Sequence, residues 1–336
     1  MTSVLLTGIS GFVGHHIFEH IMKTTDWSVI GMHRSGFAGD LARLDEVFSR
    51  GSPEWKDRLT LVHHDLRDPI HEPLPDARYI LHVAASSHVD RSITDPRSFA
   101  LDNVMGTLNL LEYARTKVIQ KFVYFSTDEV YGNAPDGIFC DENFAHRPRN
   151  PYAASKAAAE DICYSYHITY GIPLVVTNTM NIIGERQHPE KYVPIILRSL
   201  LRDETVHIHA HPDKQRAGQR HYLHARNAAD ALLFVLREGE IGERYNIVGE
   251  KELDNLELAR LVERYATEWA KLKRPNWIPK LKYELVDWAV SRPGHDLRYA
   301  LDGTKLHEMG YRFPVDFNNS LKSTVFWTLD HMDRWL

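Results

Sequence analysis

Four side chains in two short stretches have the types and spacing for acid–base chemistry. Tyr152 and Lys156 stand at i, i+4 in "NPYAASKAAAE", a spacing that puts both on one face of a helix. An ammonium beside a phenol favours the phenolate, which suits a tyrosine for work as a base. Upstream, "FVYFSTDEVYG" (122–132) sets Asp128 and Glu129 directly behind an apolar run. A strand that only completes a sheet has no use for two adjacent acids. Consecutive strand residues point to opposite faces, so both can reach one substrate only if the chain leaves strand geometry at that point. The plain alternative is a pair of acids in a helix first turn, stabilised by the macrodipole.

A cofactor motif precedes these stretches. "LLTGISGFVGHHIFEHI" reads as strand, glycine turn and helix, with Gly8, Gly11 and Gly14 in a G-x-x-G-x-x-G pattern around Ser10, Phe12 and Val13. Such a turn lets backbone approach a pyrophosphate while the helix N-terminus supplies partial positive charge. The next strand ends in "IGMHRSG". A carboxylate at this point would hold the ribose 2′-hydroxyl of NAD, whereas His33, Arg34 and Ser35 suit a 2′-phosphate, so NADP is favoured over NAD. Asp65 and Leu66, after the third strand, should meet the adenine end. Ala84, Ala85 and Ser86 in "HVAAS" should pass beneath the cofactor, and Asn103 is a further candidate contact.

The elements that must position these groups alternate as in an α/β fold with a parallel sheet. Apolar runs at 3–7, 27–32, 59–64, 78–84, 121–126 and 173–178 read as strands, and 12–24, 98–116 and 152–169 as helices. After about residue 180 the alternation loosens into strands 206–210 and 244–248 among helices 192–202, 225–237 and 255–272. The expected organisation is a Rossmann-type doubly wound sheet over 1–180 and a smaller substrate lobe over 181–336, some of whose elements return to the first domain.

Composition limits the function further. The chain has 336 residues, 43% hydrophobic and 25% charged, and a formal charge of −5, so no basic excess exists to cover a nucleic-acid backbone. Two cysteines, Cys140 and Cys163, fit a reduced, cytoplasmic setting better than a disulfide framework. No apolar run approaches the roughly 20 residues of a membrane span. His207, His209 and His211 alternate in "VHIHAH", but no Cys or carboxylate cluster completes a set, and no metal is expected.

The Tyr-x-x-x-Lys pair behind a glycine turn resembles the extended short-chain dehydrogenase/reductase family. "SHVDRS" (87–92), "STDEVYG" (126–132), "PYAASKA" (151–157), "QHPEKYVP" (187–194), "RYNIVG" (244–249) and "RPGHDLRYALD" (292–302) are similar to nucleotide-sugar 4,6-dehydratases, in the pattern of those acting on dTDP-glucose. The resemblance runs in order over essentially the full chain. It implies oxidation at C4 of a hexose, elimination of water across C5 and C6, and return of the hydride to C6 on a tightly held, recycled cofactor. It assigns Tyr152 and Lys156 to the oxidation, Glu129 as base at C5, Asp128 as acid for the 6-hydroxyl, and Thr127 to the 4-oxygen. It further implies Asn181, Lys191, Arg220, Asn255, Arg292 and His295 for the nucleotide sugar, His88 for the hexose pocket, and a homodimer through helices 98–116 and 152–169. The chain departs from the pattern at Ser86, Ile182, Ile183 and the long basic segment 210–220, so base and hexose stay open. The rival readings are a nucleotide-sugar C4-epimerase, which has no use for both acids, and a non-catalytic nucleotide-binding module.

Overall fold

The computed structural model describes every residue except Met1, Ser35, Phe37, Ala38, Arg292, Pro293 and His295, and leaves aside the side chains of Ala289 and Ser291. The expected strands form as β1 (Ser3–Thr7), β2 (Ser28–His33), β3 (Leu59–His63), β4 (Tyr79–His82), β5 (Lys121–Thr127) and β6 (Leu174–Thr179). With β10 (Arg244–Ile247) they make a seven-stranded sheet in the order β10-β6-β5-β4-β1-β2-β3, every pair parallel. β10 covers the outer edge of β6, and all six residues of β6 are buried. A continuous apolar run is what a strand covered on both faces requires.

Side-chain alternation divides the core between the two faces of this sheet. Val4 and Leu6 of β1 pack with Ile17, Leu232 and Tyr245, while Leu5 packs with Ile80, Phe122 and Leu174 on the other side. The helix Phe12–Thr24 and the helix Ala225–Glu238 cover the first face together, so a segment from the C-terminal half completes the nucleotide-binding sheet. A separate core joins Ile196, Ile208, Tyr222, Leu258, Trp269 and Leu321. It lies among β8 (Thr205–Ala210), β9 (Gln219–His224) and the helices Tyr192–Arg202, Asn255–Lys273 and Phe317–Asp330.

Two expected elements differ in detail. The strand expected over 78–84 ends at His82, because the amides of Val83 and Ala84 both turn to the Thr7 hydroxyl at 3.1 Å. The helix expected over 98–116 is an α-turn (Pro96–Phe99), a π-helical segment (Ala100–Met105) and an α-helix (Gly106–Arg115). The wider turn brings both Asp102 and Asn103 to the site, and such turns recur at functional positions.

Candidate active site

The glycine turn follows β1 at the C-terminal edge of the sheet, where open α/β sheets bind ligands. Gly8 has φ +73°, and a Cβ there would stand 2.8 Å from the Ala84 Cα. A Cβ on Gly14 would come within 2.0 Å of the Gly8 carbonyl oxygen. Only glycine permits this approach. Gly11 caps the helix without any side-chain hydrogen bond, so the first-turn amides are left for an anion. These features fit a dinucleotide pyrophosphate. Ala84 lies against the turn, and Ser10 is buried with its carbonyl accepting from Arg43 at 3.0 Å.

At the adenosine end Arg34 is not a lone clamp. Its guanidinium donates to Asp65 at 3.0 Å and to Asp102 at 2.8 Å, and Arg67 donates to the same Asp102 oxygen at 2.6 Å. The second Asp102 oxygen accepts from the Ser86 hydroxyl at 2.6 Å. Asn103 is locked to the backbone of Ser86 and to the Ser155 hydroxyl. His33 packs edge-on against His63, and Leu66 is buried. Ser35 lies outside the described residues.

β5 ends at Thr127, and the chain turns at once into a short 3-10 helix, Asp128–Tyr131. The Thr127 hydroxyl accepts from the Glu129 amide and donates to the Asp128 carboxyl at 2.9 Å. The backbone therefore leaves strand geometry where two acids on one substrate require it. Asp128 is 3% exposed, and burial, then the neighbouring Glu129, push its carboxyl up to about 7. A helix terminus would lower it, so the plain alternative matches the backbone conformation but not the electrostatics. Glu129 is also buried, and its Oε2 accepts from the Asn150 amide and the Tyr299 hydroxyl, each at 3.1 Å.

The helix Pro151–Tyr170 carries Tyr152 and Lys156, and Asn150 caps it through a 2.9 Å bond from the Ala153 amide. Tyr152 packs on Phe99. The expectation that lysine acidifies this phenol is corrected by the structure. Burial and Glu129 hold the Tyr152 hydroxyl well above its ordinary value, opposed by a hydrogen bond with Thr127. Burial also lowers Lys156 to about 8. Its ammonium donates to the Phe125 carbonyl at 2.7 Å and lies 4.2 Å over the Tyr124 ring. Burial is the largest influence on both groups.

The expected nucleotide-sugar residues fall in two groups. Arg220 on β9 is buried, donates at 2.6 Å to the carbonyls of Asp296 and Leu297, and lies 4.3 Å over the Tyr299 ring. Asn255 is nearby, its side-chain oxygen accepting from the Tyr222 hydroxyl at 2.7 Å. The second group joins two loops: His88 faces Glu190 at 3.4 Å, and Lys191 donates to the Ser87 carbonyl at 3.3 Å. Asn181 sits on β7 (Asn181–Ile183), which pairs with β9. Arg292 and His295 lie outside the described residues. A cavity of about 310 Å³ opens beside segment 211–219, lined by Asn133, Asp136, Arg216, Asp254 and Arg298 among others. His207 pairs with Glu284 at 3.6 Å, and among the described residues no three metal-ligating side chains cluster.

Sequence reasoning missed Asn150, Tyr299, Asp296 and Asp102. The first three lay inside quoted motifs, but at 21 to 170 residues from the acids nothing local placed them beside the pair. Asp296 is fully buried, paired with Arg149 at 3.1 Å and pushed up to about 6 by burial. Asp102 had no signal, since its role depends on the π turn.

Residues 5–324 match the family model described as GDP-mannose 4,6 dehydratase. The dTDP-glucose 4,6-dehydratase of Haemophilus influenzae is 35% identical over 98% of this chain and 98% of its own length. That of Escherichia coli is 33% identical over 99% and 95%. Among solved structures, the dTDP-glucose 4,6-dehydratase DesIV from Streptomyces venezuelae, with NAD bound, superposes with a TM-score of 0.83 at 33% identity, covering 99% of each chain.

Proposed function

This chain belongs to the nucleotide-sugar 4,6-dehydratases of the extended short-chain dehydrogenase/reductase family, enzymes that use a nicotinamide cofactor, and we propose that its substrate is dTDP-glucose. The observation that carries the reading of the site is the acid pair. Asp128, raised to about 7, and Glu129, held by two donors, share one buried pocket with Tyr152. A C4-epimerase needs the tyrosine but has no work for both acids.

The chemistry a bound nicotinamide supplies is custody of one hydride, taken from C4 and returned to C6. Burial raises the Tyr152 phenol, so the positive charge of a bound oxidised nicotinamide would be needed to favour its phenolate. The phenolate would then take the proton of the 4-hydroxyl, with Thr127 hydrogen-bonded to the same oxygen. The resulting 4-ketone makes the C5 proton acidic, and Glu129 removes it. The electron pair of the C5–H bond forms the C5–C6 double bond as the C6–oxygen bond breaks. Asp128 gives its proton to the departing hydroxyl, and water leaves. Glu129 then returns a proton to C5. Arg220 and Asn255 are assigned to the diphosphate, and the 310 Å³ cavity beside the basic segment to the nucleoside.

For the cofactor we infer NAD. The expectation of NADP rested on Arg34, but two carboxylates already engage that guanidinium. Arg34 and Arg67 against Asp65 and Asp102 leave no net positive charge to attract a 2′-phosphate. NAD is also the cofactor carried by the solved relative from Streptomyces venezuelae. Homodimerisation stays a family-based proposal.

Incubation with dTDP-, UDP- and CDP-glucose and GDP-mannose, followed by mass spectrometry, tests the reading. We expect loss of one water from dTDP-glucose. An isobaric product would indicate an epimerase, and no turnover on any of the four a binding module.

A further inference from the structure

The residue before the catalytic helix does more than begin it. Asn150 is 4% exposed, and both ends of its amide are used. Oδ1 accepts from the Ala153 amide at 2.9 Å and caps the helix that carries Tyr152 and Lys156. Nδ2 donates to Glu129 Oε2 at 3.1 Å. An N-cap needs only an acceptor, which serine, threonine or aspartate would provide equally well. The donor is the additional property of asparagine at this position, and the fold aims it at the acid that must work as a carboxylate.

We infer that Asn150 is a positioning residue for the elimination step, tying Glu129 to the helix of the oxidation pair. This rests on the assignment of Glu129 as the base at C5. The second donor, Tyr299, reaches the same Oε2 atom at 3.1 Å. The other titratable or charged groups around Glu129 are Asp128 on its own turn, Tyr152 on the catalytic helix, Asp296 in the C-terminal segment, and Arg220 on β9, which acts on Asp128, Asp296 and Tyr299. Asn150 and Tyr299 are the described residues that donate directly to Glu129.

Asn150→Ser and Asn150→Asp both keep a capping acceptor and differ at Glu129. Serine loses the amide donor, and aspartate replaces it with a like charge. Rapid mixing of the NAD-loaded enzyme with dTDP-glucose separates the steps, because reduced cofactor absorbs between oxidation and hydride return. Asn150→Ser should slow elimination roughly 10- to 100-fold, the loss expected for one hydrogen bond to a charged group. Its oxidation rate should match wild type, and reduced cofactor should accumulate. Asn150→Asp should slow elimination further. Thermal unfolding of the serine variant should stay close to wild type, since the cap is kept.

Wild-type elimination rates in both variants, with no added accumulation of reduced cofactor, would overturn the inference and leave a cap alone. Equal slowing of oxidation and elimination would overturn it as well, by indicating general disturbance of the site. A wild-type protein that makes no 4-keto-6-deoxy sugar would overturn it together with the assignment of Glu129, an outcome distinguishable from the other two.

Discussion

Asp128 and Glu129 are neighbours in the chain, both buried, and distinguished by their partners. Asp128 keeps one carboxyl oxygen without a hydrogen-bond partner among the described residues, whereas Glu129 receives two donors on one oxygen. Burial and the neighbouring Glu129 favour the neutral acid at Asp128, against the single donor Thr127. The two environments suit the proposed division between Asp128 as acid and Glu129 as base. The sign of the pH dependence follows. With its carboxyl near 7, Asp128 holds its proton below that pH and loses it above, so the single-turnover elimination rate should fall as pH rises through about 7. Asp128→Asn should abolish that limb. An alkaline limb retained by the asparagine variant would assign it to another group. Tyr299, which lies 170 residues from Glu129 in sequence, is invisible to any local reading of the acid pair.

At the scale of elements, three departures from regular geometry build the site. The positive φ of Gly8 lets the glycine turn press against Ala84, the 3-10 turn after β5 redirects the acids, and the π segment Ala100–Met105 delivers Asp102 to Arg34. The glycine turn was legible because its residue types state the backbone requirement. The π turn was not, because apolar periodicity over 98–116 reads as an ordinary helix. It carries a consequence for the cofactor. Asp102→Asn removes one of the two carboxylates on Arg34 and leaves the Arg34–Arg67–Asp65 cluster with net positive charge. The ratio of NADP to NAD affinity, measured by titration of the cofactor-free protein, should rise by about tenfold, the worth of one charge-assisted contact. A ratio unchanged from wild type would show that Arg34 does not face the 2′ position.

At the scale of the molecule, the sheet is completed from both halves of the chain. β10 closes the edge beside β6, and Arg244 at its start reaches the buried Glu160 of the catalytic helix at 2.6 Å. The alternating apolar runs made the α/β class and the six N-terminal strands legible, since covered parallel strands must read as apolar runs. Long-range pairings carried no such signal. Arg34 finds Asp65 and Asp102 at separations of 31 and 68 residues, which turned a sequence argument for NADP into a structural argument for NAD. The direction of the Tyr152 shift was hidden for a related reason, because burial depends on the whole fold rather than on the spacing of two residues.

The most direct test of the account is turnover of dTDP-glucose in deuterated water. If Glu129 is the proposed base, it exchanges its proton with solvent and returns one to C5. The product should then have lost one water and carry a single carbon-bound deuterium, at C5, with none at C6, whose added hydrogen is the protium hydride from C4. Glu129→Gln should give no such product. A product isobaric with the substrate, or a dehydrated product without deuterium at C5, would contradict the account.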